Sequence, residues 1–174
     1  MNDFDLAKKG DKEAFSRLIT SVKYKLYKTG MSILRNDDDA CDAIQETLIS
    51  AYQNISGLQH PEFFNTWIIR ILINKCYDII KKNKKVTNIN EKLMQTAEPY
   101  YEMYINESEL EHVLSRLETD LKTVTILFYY DDLSILEIAE ILNIPEGTVK
   151  SRLSIAREKI SKIYQLEEGG EQIG

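Results

Sequence analysis

Apolar residues recur at steps of three and four along most of the chain, and runs that alternate apolar with polar are few. That period is helical and predicts an all-α protein. Only three prolines and seven glycines interrupt it, so the helices can be long. One helical block runs from about Lys12 to Lys85 and another from about Glu107 to Tyr164. Between them, Val86 to Asn106 is polar, irregular and broken by Pro99, which reads as a linker with at most short helical pieces. Its Tyr100, Tyr101 and Tyr104 could still pack on something. The end from Gly169 to Gly174 should fray. The expected organisation is two small helical domains, 1–85 and 107–166, joined by a polar linker at 86–106 and followed by an acidic tail at 167–174.

In the second block, Ser134-Ile135-Leu136-Glu137 has the form of a capping box, so a helix should begin at Ser134. Ile135, Ile138, Ala139 and Leu142 then share one face. Asn143 suits a left-handed helix stop, and Pro145 suits the first position of the next helix. There Val149, Leu153, Ala156, Ile160 and Ile163 form one buried stripe, and small Ala139 lets the two helices approach. The opposite face carries Gly147, Ser151, Ser154, Ile155 and Glu158, flanked by Lys150, Arg152, Arg157 and Lys159. Short central residues allow approach to base edges and flanking cations reach phosphates, as a helix-turn-helix in a DNA groove requires. The alternative is an ordinary helical hairpin with a solvated charged rim.

In the first block, Asp39 to Ile55 reads as a helix with Ala43, Ile44, Leu48 and Tyr52 on its apolar side and Asp37, Asp38 and Asp39 at its start, where acids suit the helix dipole. The acid cluster lacks the ligand spacing of a calcium loop. Asp42, Gln45 and Glu46 lie on adjacent turns of the polar side. Phe63 to Lys82 reads as the next helix, with Phe64, Ile68, Ile71, Leu72 and Ile79 buried. A second stripe gathers Trp67, Arg70, Asn74, Tyr77, Asp78 and Lys81. Such mixtures bind single strands, because cations track phosphates while aromatics and amides meet bases. Amphipathic helices also carry Trp and Tyr at a core margin, so the stripe alone does not decide.

Charge sharpens the picture. The formal net charge is −6, which disfavours a free-standing DNA binder. Yet cations cluster at Arg70, Lys75, Lys81, Lys82, Lys84 and Lys85, and again from Lys150 to Lys162. Two basic patches on an acidic chain suggest two nucleic-acid contacts and a separate partner that supplies most of the affinity. Cys41 and Cys76 sit in apolar-periodic segments and are expected as small buried hydrophobes rather than a disulfide or metal pair. His60 and His112 lack ligand-like neighbours, so no metal and no cofactor is expected. The N-terminus lacks the layout of a secretory signal and no apolar run is long enough to span a membrane, which points to the cytoplasm without membrane insertion. No nucleophile–base pair or Gly-rich phosphate loop argues for an enzyme.

The run from Tyr129 to Leu153, continued by Ala156-Arg157 and Lys159-Ile160, resembles the sigma-4 domain of extracytoplasmic-function (ECF) sigma factors. Asp42-Ala43-Ile44-Gln45-Glu46 is similar to the sigma-2 segment that binds the clamp helices of the polymerase β′ subunit, and Trp67 to Asn74 with Asp78 and Lys81-Lys82 resembles the promoter-melting helix. The resemblance implies a sigma-2-like bundle and a sigma-4-like helix-turn-helix. It implies contact with the −35 element through Gly147, Thr148, Lys150, Ser151, Arg152, Ser154, Ile155, Arg157 and Lys159. It implies contact with the −10 strand through Trp67, Arg70, Asn74, Tyr77, Lys81 and Lys82. The loop from Asn54 to Pro61 matches in position the segment that captures a flipped base, with Asn54 and Gln59 as candidates. Core RNA polymerase (β′ clamp helices and β flap), promoter DNA and an anti-sigma factor are the implied partners. The linker would lie near the polymerase active channel. Three positions depart from the family pattern. Glu118 follows Leu117 where Leu-Pro is usual, Lys81 replaces an Arg and so loses a bidentate phosphate contact, and Ile155 replaces a basic residue. A stand-alone helix-turn-helix regulator with the N-terminal block as a sensor or dimerisation module, or a relative reduced to protein interaction, are the competing classes.

Overall fold

A computed structural model describes residues 2–91 and 109–170, with side chains placed for 2–84 and 112–165. The chain divides into two compact units, Met1–Glu102 and Met103–Gly174. All regular structure in the described residues is helical.

The first unit holds α1 (Asp3–Lys8), α2 (Lys12–Leu34), α3 (Asp37–Asn54), two single 3₁₀ turns (Ile55–Gly57 and Pro61–Phe63) and α4 (Phe64–Glu91). Side chains of Asn2, Asp11 and Asn36 cap α1, α2 and α3 by accepting from backbone N–H groups of Asp5, Ala14 and Asp39, each at 2.9 Å. These bonds satisfy donors that a helix start leaves orphaned. Helix α1 was not expected from the sequence. It forms because Asn2 caps it, Phe4 and Ala7 one turn apart are buried, and Asp3 pairs with Arg17 of α2 at 2.8 Å.

Helix α3 packs against both α2 and α4. Its buried residues are Ala40, Ala43, Thr47 and Ala51, whereas Ile44, Leu48 and Tyr52 are only half-buried. A helix wedged between two others approaches them through small side chains, so its core face is turned from the one the larger apolar residues suggested. That rotation leaves Cys41 exposed, correcting the expectation that both cysteines are buried, while Cys76 is fully covered. Helix α4 buries Phe64, Ile68, Ile69, Leu72, Ile73 and Cys76, a band wider than one stripe because α2 and α3 both lie on it. Ile71 and Ile79 sit at its margin. With no Pro or Gly between Lys81 and Glu91 to stop it, α4 runs to Glu91, six residues past the expected boundary at Lys85. The rest of the expected linker, with Pro99 and the three tyrosines, lies outside the described residues.

The second unit holds α5 (Glu109–Ser115), α6 (Thr119–Thr125), which continues into a π-helical turn (Ile126–Tyr130), α7 (Ile135–Leu142) and α8 (Glu146–Gly170). The turn closes with the Asp131 N–H donating to the Ile126 carbonyl at 3.0 Å. The capping box at Ser134 is formed in both directions. Glu137 N–H donates to Ser134 Oγ at 3.2 Å and Ser134 N–H donates to Glu137 Oε2 at 2.9 Å. Asn143 ends α7 in the left-handed region at φ 52°. Pro145 sits one position earlier than expected, its carbonyl accepting the first bonds of α8. The core comprises Val113, Leu117, Val124, Leu127, Ile138, Ile141, Val149, Leu153 and Ala156. The backbone of α8 is helical to Gly170, so Gly169 and Gly170, expected to fray, continue it, and residues 171–174 lie outside the description.

Candidate nucleic-acid interface

In the second unit, burying Val149, Leu153 and Ala156 turns the opposite face of α8 outward. Gly147, Lys150, Ser151, Ser154, Ile155, Arg157 and Glu158 are exposed and Thr148 is half-buried. A Cβ at Gly147 would meet nothing within 4 Å, so the start of α8 is open to close approach. Ile155 is 43% exposed, an apolar spot among small polar residues that could meet a thymine methyl.

The cations around this face are held inside the unit. Arg152, whose side chain is 25% exposed, donates to Asp120 at 2.5 Å, and Lys159 donates to Glu118 at 2.5 Å. Arg157 Nε donates to Tyr129 Oη at 2.7 Å with its guanidinium 5.9 Å from that ring's centroid. Lys150 and Lys162 pair with Glu146 at 3.9 Å and Glu158 at 2.6 Å. Bonds from Lys159 and Lys162 hold the Glu118 and Glu158 carboxyls below their ordinary values. Exposed pairs of this kind are weak and exchangeable, so a phosphate can replace a carboxylate. The pairing of Glu118 and Asp120 with α8 was not read from the sequence, because they lie 41 and 32 residues from their partners.

In the first unit, α4 presents Arg70, Asn74 and Lys81 as exposed residues and Trp67 and Tyr77 as half-buried ones. Trp67 leans on Phe64 at 6.1 Å between centroids, and Phe64 on Phe4 at 6.5 Å, so the indole is braced by the core. Upstream, buried Ile55 pins the loop that leads into α4. Asn54 is exposed and donates to the Ser50 carbonyl at 2.7 Å, and Gln59 is exposed.

Asp42, Gln45 and Glu46 line a cleft of about 480 Å³ between α3 and α4, together with Asp39, Asp78, Ile49, Lys75, Lys82 and Asn83. Lys75 approaches Glu46 at 3.5 Å, and Asn83 donates to Asp39 at 3.0 Å. Lys75, Asp78 and Lys82 thus face this acidic cleft, apart from the centre of the Trp67 stripe. Among the described residues no group of three His, Cys, Asp or Glu is placed to hold a metal ion, and no helix is long and apolar enough to cross a membrane.

A helical bundle with a mixed aromatic–cationic helix, followed by a helix-turn-helix unit, defines a class. The family description "Sigma-70 region 2" matches residues 14–86 and "Sigma-70, region 4" matches residues 107–160. The chain is 34% identical over 170 residues to the ECF RNA polymerase sigma factor SigW of Bacillus subtilis, covering 89% of this chain and 91% of that one. It is 32% identical over 173 residues to the ECF RNA polymerase sigma-E factor of Haemophilus influenzae, with 90% of each covered. In fold it is similar to the sigma factor RpoE solved with the anti-sigma factor NepR from Bartonella quintana. There the TM-score is 0.73 at 22% identity, covering 87% of this chain and 96% of that one. The chain belongs to the ECF sigma factors of the sigma-70 family. Its role is that of an RNA polymerase sigma factor in transcription initiation, not that of an enzyme.

Proposed function

We propose that the first unit docks on core RNA polymerase through the acidic cleft of Asp42, Gln45 and Glu46 and holds the non-template strand of the −10 element. Trp67, Asn74 and Tyr77 would meet bases and Arg70 and Lys81 would track phosphates, while Lys82, which lines the cleft, would lie on the docking side. Asn54 and Gln59 would border a flipped base. The second unit would insert α8 at −35, with Gly147, Thr148, Ser151, Ser154 and Ile155 toward base edges and Lys150, Arg152, Arg157 and Lys159 toward phosphates. The observation that carries this reading is the exposed face of α4. It brings Trp67, Arg70, Asn74, Tyr77 and Lys81 onto one surface above a fully buried band. The carboxylates of the cleft suit a basic docking partner. Residues 86–106 would link the two functions near the polymerase active channel. The relatives solved with NepR and with the cytosolic domain of CnrY support regulation of this chain by an anti-sigma protein in the cytoplasm.

The test is run-off transcription by core RNA polymerase plus the purified chain, on the DNA upstream of its own coding sequence. Specific initiation is expected, abolished by Asn74→Ala and weakened by Lys150→Ala. Tight duplex binding without polymerase, and no initiation, would instead identify a stand-alone regulator.

A further inference from the structure

Each cation along α8 is held by a neighbour, and the neighbours are not alike. Lys150, Arg152, Lys159 and Lys162 each pair with a carboxylate. Arg157 instead donates from Nε to the phenol oxygen of Tyr129 at 2.7 Å, with its guanidinium 5.9 Å from the centroid of that ring. Tyr129 stands in the π-helical turn Ile126–Tyr130. A π turn bonds residues five apart rather than four, so it swings its side chains out of the α-helical register. Ile126 and Leu127 go into the core, while Tyr129 emerges 58% exposed. Its ring is braced by Phe128, with centroids 4.9 Å apart and planes at 81°.

We infer that Tyr129 is a positioning residue for the −35 contact, holding Arg157 so that its guanidinium meets a DNA phosphate already aimed. This rests on the proposed role of α8 and adds Tyr129 to it. Charge sets the pair apart. A phosphate that reaches Arg152 or Lys159 must replace a carboxylate, and one anion is exchanged for another. The phenol of Tyr129 is neutral, so a phosphate that reaches Arg157 displaces no ion pair. The bond to Tyr129 uses Nε and leaves the Nη donors to grip a phosphate in the fork geometry a guanidinium allows. Arg157 is exposed and follows Lys150 by two helical turns, on the same flank of α8. Arg152 and Lys159 lie two turns apart along the other flank, under Asp120 and Glu118. A long side chain that is fixed before binding loses less freedom on binding. Here the hydrogen bond and the ring–cation contact fix it together.

The full chain with core RNA polymerase is placed on promoter DNA in which single −35 phosphates are replaced, one at a time, by neutral methylphosphonates. Fluorescence anisotropy reads the affinity. Neutralising the phosphate that faces Arg157 is expected to weaken binding of the natural chain about tenfold. In Arg157→Ala that position ceases to matter. Tyr129→Phe keeps the ring and removes the acceptor, and Tyr129→Leu removes both. In each, the penalty at that one phosphate falls to about threefold or less. Penalties at the other phosphates, polymerase binding and Tm stay as they were. Tyr129→Leu combined with Arg157→Ala adds nothing to Arg157→Ala alone, because Tyr129 acts through Arg157. An unchanged scan in both Tyr129 variants, or a Tyr129→Leu loss that adds to that of Arg157→Ala, would overturn the positioning role and leave the −35 role of α8 standing. A scan in which no phosphate responds to Lys150→Ala or Arg157→Ala would remove that role and the inference with it. Loss of polymerase binding in Tyr129→Leu with the scan intact would assign the ring to a protein surface instead.

Discussion

Glu118, at the start of α6, holds Lys159 with its carboxylate while Asp120 holds Arg152. Two cations suited to phosphate are neutralised inside the unit, so under the proposed −35 role DNA would have to displace two carboxylates to reach them. Replacing both acids (Glu118→Gln with Asp120→Asn) is expected to raise duplex affinity at low salt. It should also steepen the logarithmic salt dependence by up to about two, since each phosphate neutralised contributes roughly 0.9. Fluorescence anisotropy across a salt series measures both. The lowered Glu118 pKa has a signed consequence. A carboxylate whose folded pKa is depressed stabilises the fold above its ordinary pKa, and that stability is lost as pH falls through the lowered value. Any stability difference between the natural chain and Glu118→Gln at neutral pH should therefore vanish in acid, as denaturant melts across pH would show. The cysteines make a second contrast. Burial pushes the Cys76 thiol up to about 12, while Cys41 is exposed. One thiol should react promptly with a maleimide in the folded chain and the second only after unfolding. The helical period of the sequence could not separate these two residues, because both fall in apolar-periodic segments and only the packing of α3 between its neighbours decides which faces water.

Among the elements, α7 was the most legible from sequence. Ser134, Glu137 and Asn143 act through bonds and backbone angles within a few residues of themselves, so spacing alone defines them. Ser134→Ala removes one side of the capping box and should cost roughly 1 kcal/mol, readable as a lower Tm at unchanged helix content. Helix α2 offers the opposite change. A Cβ at Gly30 would lie 3.8 Å from Ala40 Cβ and 3.9 Å from Leu72 Cδ1, ordinary contact distances. Gly30→Ala is expected to stabilise the chain by about 0.4–1 kcal/mol, because it restricts the unfolded chain without strain. A lower Tm in that variant would mean that α2, α3 and α4 already meet too closely there for a methyl group. Helix α1 shows what local reading misses. Six residues beginning with acids look like a polar terminus until Phe4 finds the pocket beside Phe64.

Across the whole molecule, the net charge is −6 and the cations of α8 other than Arg157 are already paired with carboxylates, which predicts weak binding of duplex DNA by the chain alone. Promoter DNA is expected to bind the isolated chain weakly and the polymerase-bound chain tightly and specifically, a difference that anisotropy with and without core polymerase would report. Equal affinity in both conditions would contradict it. The sequence by itself determined the all-helical class, the helix-turn-helix and the family, because helical periodicity, caps and contiguous motifs are written within a few residues of one another. Tertiary structure alone decided which face of α3 is buried, that Lys75 and Lys82 face the acidic cleft, and that Glu118 and Asp120 grip α8. It also decided that Tyr129 reaches Arg157, 28 residues along the chain. Each of these depends on which helix packs beside which, and on contacts or faces that helical period alone does not specify.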